Sequence, residues 1–341
     1  MMTRVHRRRL VTRLLAVAGA VALLVTAGAC AKKETPQPGA QTKVVLAFSA
    51  WPGWCPWQVA QEKGLFAANG VDVELKYFEN YLDSLTALST GNVSANSQTL
   101  NDTLISVSGG AKQTIVLVND NSTGNDQIIA KEGITSVADL KGKTVAVEQG
   151  TVDHFLLLLA LQKVGLTGKD VIVKALPTAD AAAAFKAGQV DAVGAFAPFT
   201  TTALERPGSR AVATSSDFPG AIPDHLVFDA TFVADHPDEV QKVVKTWFDT
   251  LKWISDNKDA AIEIMAKKAG VSAADYKSYD AGTTIFSRDQ NLSAFESGTT
   301  AANLDHQAAQ IADFLVASGL APTKPSLDGL FEPKFVKAVA S

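Results

Sequence analysis

Three of the five tryptophans of this 341-residue chain, Trp51, Trp54 and Trp57, stand close together in the stretch FSAWPGWCPWQV. An indole face attracts an ammonium or guanidinium group by roughly 0.5–2 kcal/mol per contact, and Pro52, Gly53 and Pro56 would fix the loop that presents the rings. Carboxylates recur further along at Glu79, Asp83, Asp102, Asp120, Asp126, Asp153 and Asp224. Aromatic faces with carboxylates suit a small organic cation such as a guanidine or an alkylamine. A neutral urea-like or amide solute would fit the same set, with Asn101, Thr151 and His154 as hydrogen-bond partners. Each residue also has a plainer role. The spacing of the tryptophans would let them spread over one side of a helix start and pack inward, and Asp102 and Asp153 suit helix first turns, where a carboxylate complements unpaired N–H groups. No metal and no cofactor are expected: His154 and His225 have no partners at ligand spacing. Cys55, with no second cysteine or nearby histidine to support it, reads as a small residue in a tight turn.

The elements that would position these residues alternate. KVVLAFSA reads as a buried strand, residues 56–69 as a helix opened by proline and closed by Gly70, and VDVELKYF as the next strand. A helix over 81–90 stops at Gly91, and NVSANSQT supplies a third strand. The order then repeats: strand KTVAVEQG, helix 151–164, strand DVIVKALP, helix 178–187 closed by Gly188, and strand QVDAVGAF. ALSTGNVSA and AFKAGQVDA match position by position, and an offset near a hundred residues fits two similar α/β lobes better than a solenoid. Open α/β sheets bind ligands outside the carboxyl ends of their strands. The corresponding loops are 49–57, 79–83, 98–103, 119–126, 149–154, 196–201 and 219–225, and they contain no lysine or arginine. That absence argues against an anion, although the helix start at Thr151 offers bare N–H groups, because Asp153 sits in the same turn.

The first 29 residues carry five arginines and no acid, followed by an apolar run shorter than a membrane span, which is the layout of an export signal. Ala27, Gly28 and Ala29 before Cys30 resemble the lipobox of bacterial lipoproteins, whose cysteine is diacylated, although position 27 departs from the usual leucine. Residues 30–42 read as a flexible tether. Without the five arginines the chain keeps 26 basic against 35 acidic residues, with no basic stripe for a nucleic acid. An exported protein, lipid-anchored to the cell membrane, is expected.

WQVAQEKGLFAANGVDVEL, ALSTGNVSA, DLKGKTVAV, FKAGQVDAV and FVADHPDEVQKVVKTW, in that order, resemble the periplasmic solute-binding proteins of ABC importers, in the branch that includes the nitrate, sulfonate, taurine and pyrimidine-precursor binders. The resemblance implies a type II periplasmic-binding-protein fold: two α/β lobes, each a mostly parallel sheet flanked by helices, joined by two hinge crossings near 119–127 and 218–229. One lobe would span 43–122 and 228–341, the other 123–227. Phe196 falls where family members often carry an aromatic residue, which implies a cleft wall. The resemblance also implies capture of a small solute by lobe closure, as a monomer, for permease and ATPase subunits on other chains. A taurine, alkanesulfonate or nitrate ligand is the alternative to a nitrogenous solute, and an enzyme acting on a small amine or pyrimidine precursor is a competing class. Against the latter, the chain shows no nucleophile elbow or phosphate loop.

Overall fold

The computed structural model describes residues 42–340. The export signal, Cys30 and nearly all of the tether lie outside the described residues. Eleven strands form two sheets: β1 (Val44–Phe48), β2 (Val73–Tyr77), β3 (Ala95–Thr99), β4 (Gln113–Ser122), β5 (Asp126–Ala130), β6 (Thr144–Val147), β7 (Ile172–Ala175), β8 (Ala192–Phe196), β9 (Arg210–Thr214), β10 (Pro223–Asp229) and β11 (Thr283–Ile285). The first sheet has the order β11-β4-β10-β3-β1-β2 and the second β7-β6-β8-β5-β9.

The two sheets share a plan. In each, a central strand pairs in parallel with two neighbours: β1 with β2 and β3, and β6 with β7 and β8. An antiparallel strand then follows, and in both cases it has just come over from the other sheet. β5 enters directly after β4 and pairs with β8 and β9. β10 returns after β9 and inserts between β3 and β4. The chain therefore crosses between sheets twice, between Ser122 and Asp126 and between Thr214 and Pro223.

Local signals account for the repeated units. Gly91 and Gly188 end the matching helices Tyr81–Ser89 and Thr178–Lys186 with φ of 74° and 78°, a backbone region in which a Cβ is strained. The helix expected over 56–69 is broken instead: Pro56–Glu62 and Leu65–Ala68 are separated at Gly64, which takes φ of 66°. The long helix Pro237–Asp256 starts on a proline and buries Val240, Val243, Val244 and Trp247 at helical spacing. It packs on Pro56–Glu62, with the Trp247 and Trp57 ring centroids 4.6 Å apart.

The crossings are tied to each other. The Ser215 hydroxyl lies 2.7 Å from Ser122 Oγ and accepts from the Gly124 N–H at 2.7 Å. Asn125 Nδ2 donates to Tyr279 O and to Thr283 Oγ1, and Gly282 lies so close that a Cβ there would fall 2.5 Å from Asn125 Oδ1.

Candidate functional site

The loop after β1 makes one tight turn, Pro52–Trp54, with the Trp54 N–H donating to Trp51 O. Its shape is set from behind. Gly53 lies against the Asp120 carboxylate, where a Cβ would fall 2.1 Å from Oδ2, so only glycine lets the loop seat there. Trp51 Nε1 donates to Asp120 Oδ1 at 2.8 Å, and Tyr276 donates its O–H to Pro52 O at 2.7 Å. Trp51 and Trp54 consequently face a small cavity whose other aromatic walls are Tyr81 and Phe196. Trp54 packs 5.3 Å from Tyr81, and Phe196 sits edge-on to both Trp51 and Tyr81. Trp57 does not join them. One helical turn on, it points into the core against Trp247 and Phe66, its Nε1 donating to Ser97 Oγ at 2.9 Å, so its expected ligand role is replaced by packing.

Polar walls come from the carboxyl end of β3, from β5 and from β10: Thr99, Asp126 and Asp224, with Val152 and Ile222 completing the lining. The centre of a water-sized sphere has only about 10 Å³ in which to move, room for roughly one water. No lysine or arginine lines the cavity.

What surrounds it is acidic and desolvated. Asp102, Asp120, Asp126, Asp153 and Asp224 are each no more than 2% exposed, and Glu148 is buried too. Burial pushes Asp102, Asp120 and Asp126 up to about 7. It raises Asp153 well above the carboxylate range, and Asp224 as well, there reinforced by the charge of Asp120. Hydrogen bonds offset this only in part. Thr99 Oγ1 donates to Asp102, and Thr178 Oγ1 reaches both Asp153 Oδ2 and Glu148 Oε2. Glu148 Oε1 also accepts from the Leu82 N–H, tying β6 to the first turn of the helix after β2. Acceptors are left over: Asp120 Oδ2, Asp126 Oδ2, Asp153 Oδ1, Asp224 Oδ2 and Asn101 Oδ1 are buried with no donor, and among the lining residues Trp54 Nε1 is a donor with no acceptor. Buried polar atoms are rarely left unpaired, so such a cluster marks the candidate place for a guest.

The remaining expected residues fall elsewhere. Glu79 and Asp83 are exposed, Asp83 accepting from Asn80 Nδ2, because the loop after β2 turns them outward while Tyr81 turns in. Thr151 spends its hydroxyl on Glu148 O, and Asn101 donates to Asp102 Oδ1. His154 is half-buried, takes a long contact from the Gly150 N–H, and has its basicity lowered by burial. Cys55 is fully buried and its thiol is pushed up to about 12, which makes it a poor nucleophile. No group of His, Cys, Asp or Glu among the described residues could hold a metal ion. Sequence reasoning missed Tyr81, Thr99 and Glu148. Tyr81 carried a signal, an aromatic at a strand-to-helix loop of the expected kind; its hydroxyl oxygen accepts from the Thr99 N–H at 2.9 Å.

The sequence pattern of the NMT1-like family matches residues 37–270. The chain belongs to the NMT1-like family. A protein of Brucella abortus (strain 2308) described as a binding protein is 32% identical over 213 residues, covering 61% of this chain and 66% of that protein, so the match spans just under two thirds of that relative's length. The taurine-binding periplasmic protein of Escherichia coli K12 is 26% identical over 278 residues, 78% of this chain and 84% of that protein. The alkanesulfonate-binding protein SsuA of Xanthomonas axonopodis pv. citri, solved bound to MOPS, superposes with a TM-score of 0.73 at 21% identity, over 86% of this chain and 99% of its own. The NMT1-like chain thus has the type II binding-protein fold that the resemblance implied, except that both sheets are mixed rather than mostly parallel, because the strand returning at each crossing runs antiparallel to its neighbours.

Proposed function

We propose that this NMT1-like protein is the extracytoplasmic solute-binding component of an ABC importer and that its ligand is a small organic cation of the amine or guanidine type. The relatives named as binding proteins support the first part, and the unmatched acceptors around the cavity support the second. The lobes would be 43–122 with 228–341, and 123–227, although β10 already pairs within the first sheet from Pro223 onward. Lobe closure captures the solute because the closed form binds it better than the open form does. The cavity has room for about one water, so entry of an organic solute needs the two sheets to part. Lipid on Cys30 would hold the protein at the membrane beside its permease and ATPase partners, and the protein would work as a monomer. The inert Cys55 thiol and the lack of a metal-holding group among the described residues favour binding over turnover.

In this arrangement the cation's N–H groups meet Asp126 and Asp224, and its apolar part lies between Trp51, Trp54, Tyr81 and Phe196. A second reading, a taurine or alkanesulfonate ligand, is favoured by the taurine-binding and alkanesulfonate-binding relatives. The taurine-binding relative matches over most of the chain, and taurine also carries an ammonium group, which would take the carboxylates while Trp54 Nε1 meets the sulfonate.

The sign of a pH dependence separates a ligand held by its cationic group from a plain sulfonate. A cation needs ionised carboxylates, so calorimetric affinity for methylguanidinium or methylammonium should rise from pH 6 to pH 8. A plain sulfonate such as ethanesulfonate is repelled by the same charges, and its affinity would fall over that range. Binding of ethanesulfonate but of no amine at either pH would defeat the cation reading.

A further inference from the structure

We propose that Asp120 and Asp224 hold one proton between them and surrender it when an organic cation takes its place, so that capture exchanges one proton for one cation. This rests on the cation reading above.

Asp120 on β4 and Asp224 on β10 are register partners across an antiparallel pair, beside a register shift at Asp224/His225. Both side chains are buried, and each has an Oδ2 with no donor. Asp224 reaches the cavity, whereas Asp120 stands behind it, held by Trp51 Nε1 and covered by Gly53. The titratable groups around the pair bring no positive charge: Asp126 comes from β5, Asp102 from the helix Leu100–Ser108, Tyr276 from the helix Ala273–Ser278, and Tyr81 from the helix Tyr81–Ser89. His225, next along β10, is kept neutral by burial, which drives it down to about 3. Two carboxylates so placed, without a countercharge, cannot both ionise, and the low-cost state shares one proton.

The unpaired Trp54 Nε1 and Asp126 Oδ2 in the same cavity show that the place is built for a guest rather than being an acidic patch alone. When a cation settles against Asp224, its charge does what the proton did. The carboxylic O–H bond breaks, the proton passes to solvent, and N–H donors of the cation occupy the freed oxygens. Capture is thereby weakened in acid and strengthened in base.

The test is calorimetric titration of the full chain with methylguanidinium chloride at pH 6.5, in three buffers of differing ionisation enthalpy. The observed heat should vary with buffer at a slope of about one proton or more released per ligand bound; Asp120→Asn should lower that slope without abolishing it, because burial still raises Asp224 and Asp126, and an unchanged slope would mean that the pair shares no proton. A pH-indicator dye in weakly buffered solution reads the same proton from the unaltered chain, so the test stands even where the variant does not fold. Binding with equal heat in every buffer and no dye response would overturn the exchange and leave the cation reading intact. Failure of methylguanidinium to bind while ethanesulfonate does would overturn both.

Discussion

At the scale of single residues, the site is defined by what is missing from it: positive charge. Asp126 shows the consequence. Burial lifts its carboxyl to about 7, so the folded protein favours the protonated form more than the unfolded chain does. A raised carboxyl contributes stability below its unfolded value near 4 and loses it as pH climbs through about 7, where the folded site must bury a charge. Asp126→Asn removes that penalty. Its melting temperature should equal that of the parent at pH 4 and exceed it by several degrees at pH 8, while affinity for methylguanidinium drops by tenfold or more. An equal loss of stability at both pH values would show that Asp126 is only a structural acceptor. Trp57 gives the opposite case. Its type and spacing matched Trp51 and Trp54, and nothing in the local sequence said that one more helical turn would aim it at Trp247, nearly two hundred residues away. Trp57→Ala should therefore cost about 3–5 kcal/mol of stability, the range for a large core truncation, measured by denaturant unfolding. Its effect on binding should be no greater than its effect on folding.

At the scale of elements, the strands and the glycine stops were legible because they depend on nearest neighbours: apolar runs, and a positive φ that glycine adopts freely, as at Gly91 and Gly188. The break at Gly64 was not, because the helix pattern over 56–69 continues through it and only packing decides where the axis turns. The pairing of Asp120 with Asp224 was also beyond local reading. It depends on β10 returning from the second sheet and threading between β3 and β4, a long-range register that no short pattern encodes. The seven carboxyl-end loops were read correctly as free of basic residues, but which of their acids turn inward was not readable. Glu79 on a loop and Asp83 in a helix's first turn face outward, whereas Asp126 and Asp224 turn inward from β5 and β10. The loop after β1 offers a test at this scale. Gly53→Ala forces a methyl into the buried Asp120 carboxylate, an overlap costing about 1–3 kcal/mol. Circular dichroism should show unchanged helix content, while methylguanidinium affinity falls at least tenfold because Trp51 and Trp54 move together. Retained affinity would mean that the loop tolerates displacement and that the rings are not placed by it.

At the scale of the whole molecule, closure depends on contacts that bridge the two sheets away from the cavity. If the lobes hinge at the crossings as proposed, the tie from Ser215 to Ser122 and Gly124 would lie at the pivot and persist in any hinge position. Tyr279 is different. Its backbone carbonyl is held by Asn125 at the crossing, but its O–H reaches Thr201 Oγ1 at 2.8 Å, on the helix that follows β8. That bond links the C-terminal segment to the second sheet, and in the proposed hinge motion rotation about the crossings would separate its partners on opening. A neutral hydrogen bond contributes about 1 kcal/mol, and one made only on closure shifts the closed population by roughly fivefold. Tyr279→Phe should weaken binding of any ligand that needs closure by up to about fivefold. Stopped-flow measurement should place the change in faster dissociation, with association unaltered, since the open form that meets the solute lacks the bond. The pH dependence of affinity should keep its sign in the variant, because the carboxylates set that sign and the latch only sets how long the lobes stay shut. Unchanged dissociation would mean that Tyr279 and Thr201 stay paired in the open form, which moves the pivot outward to include them.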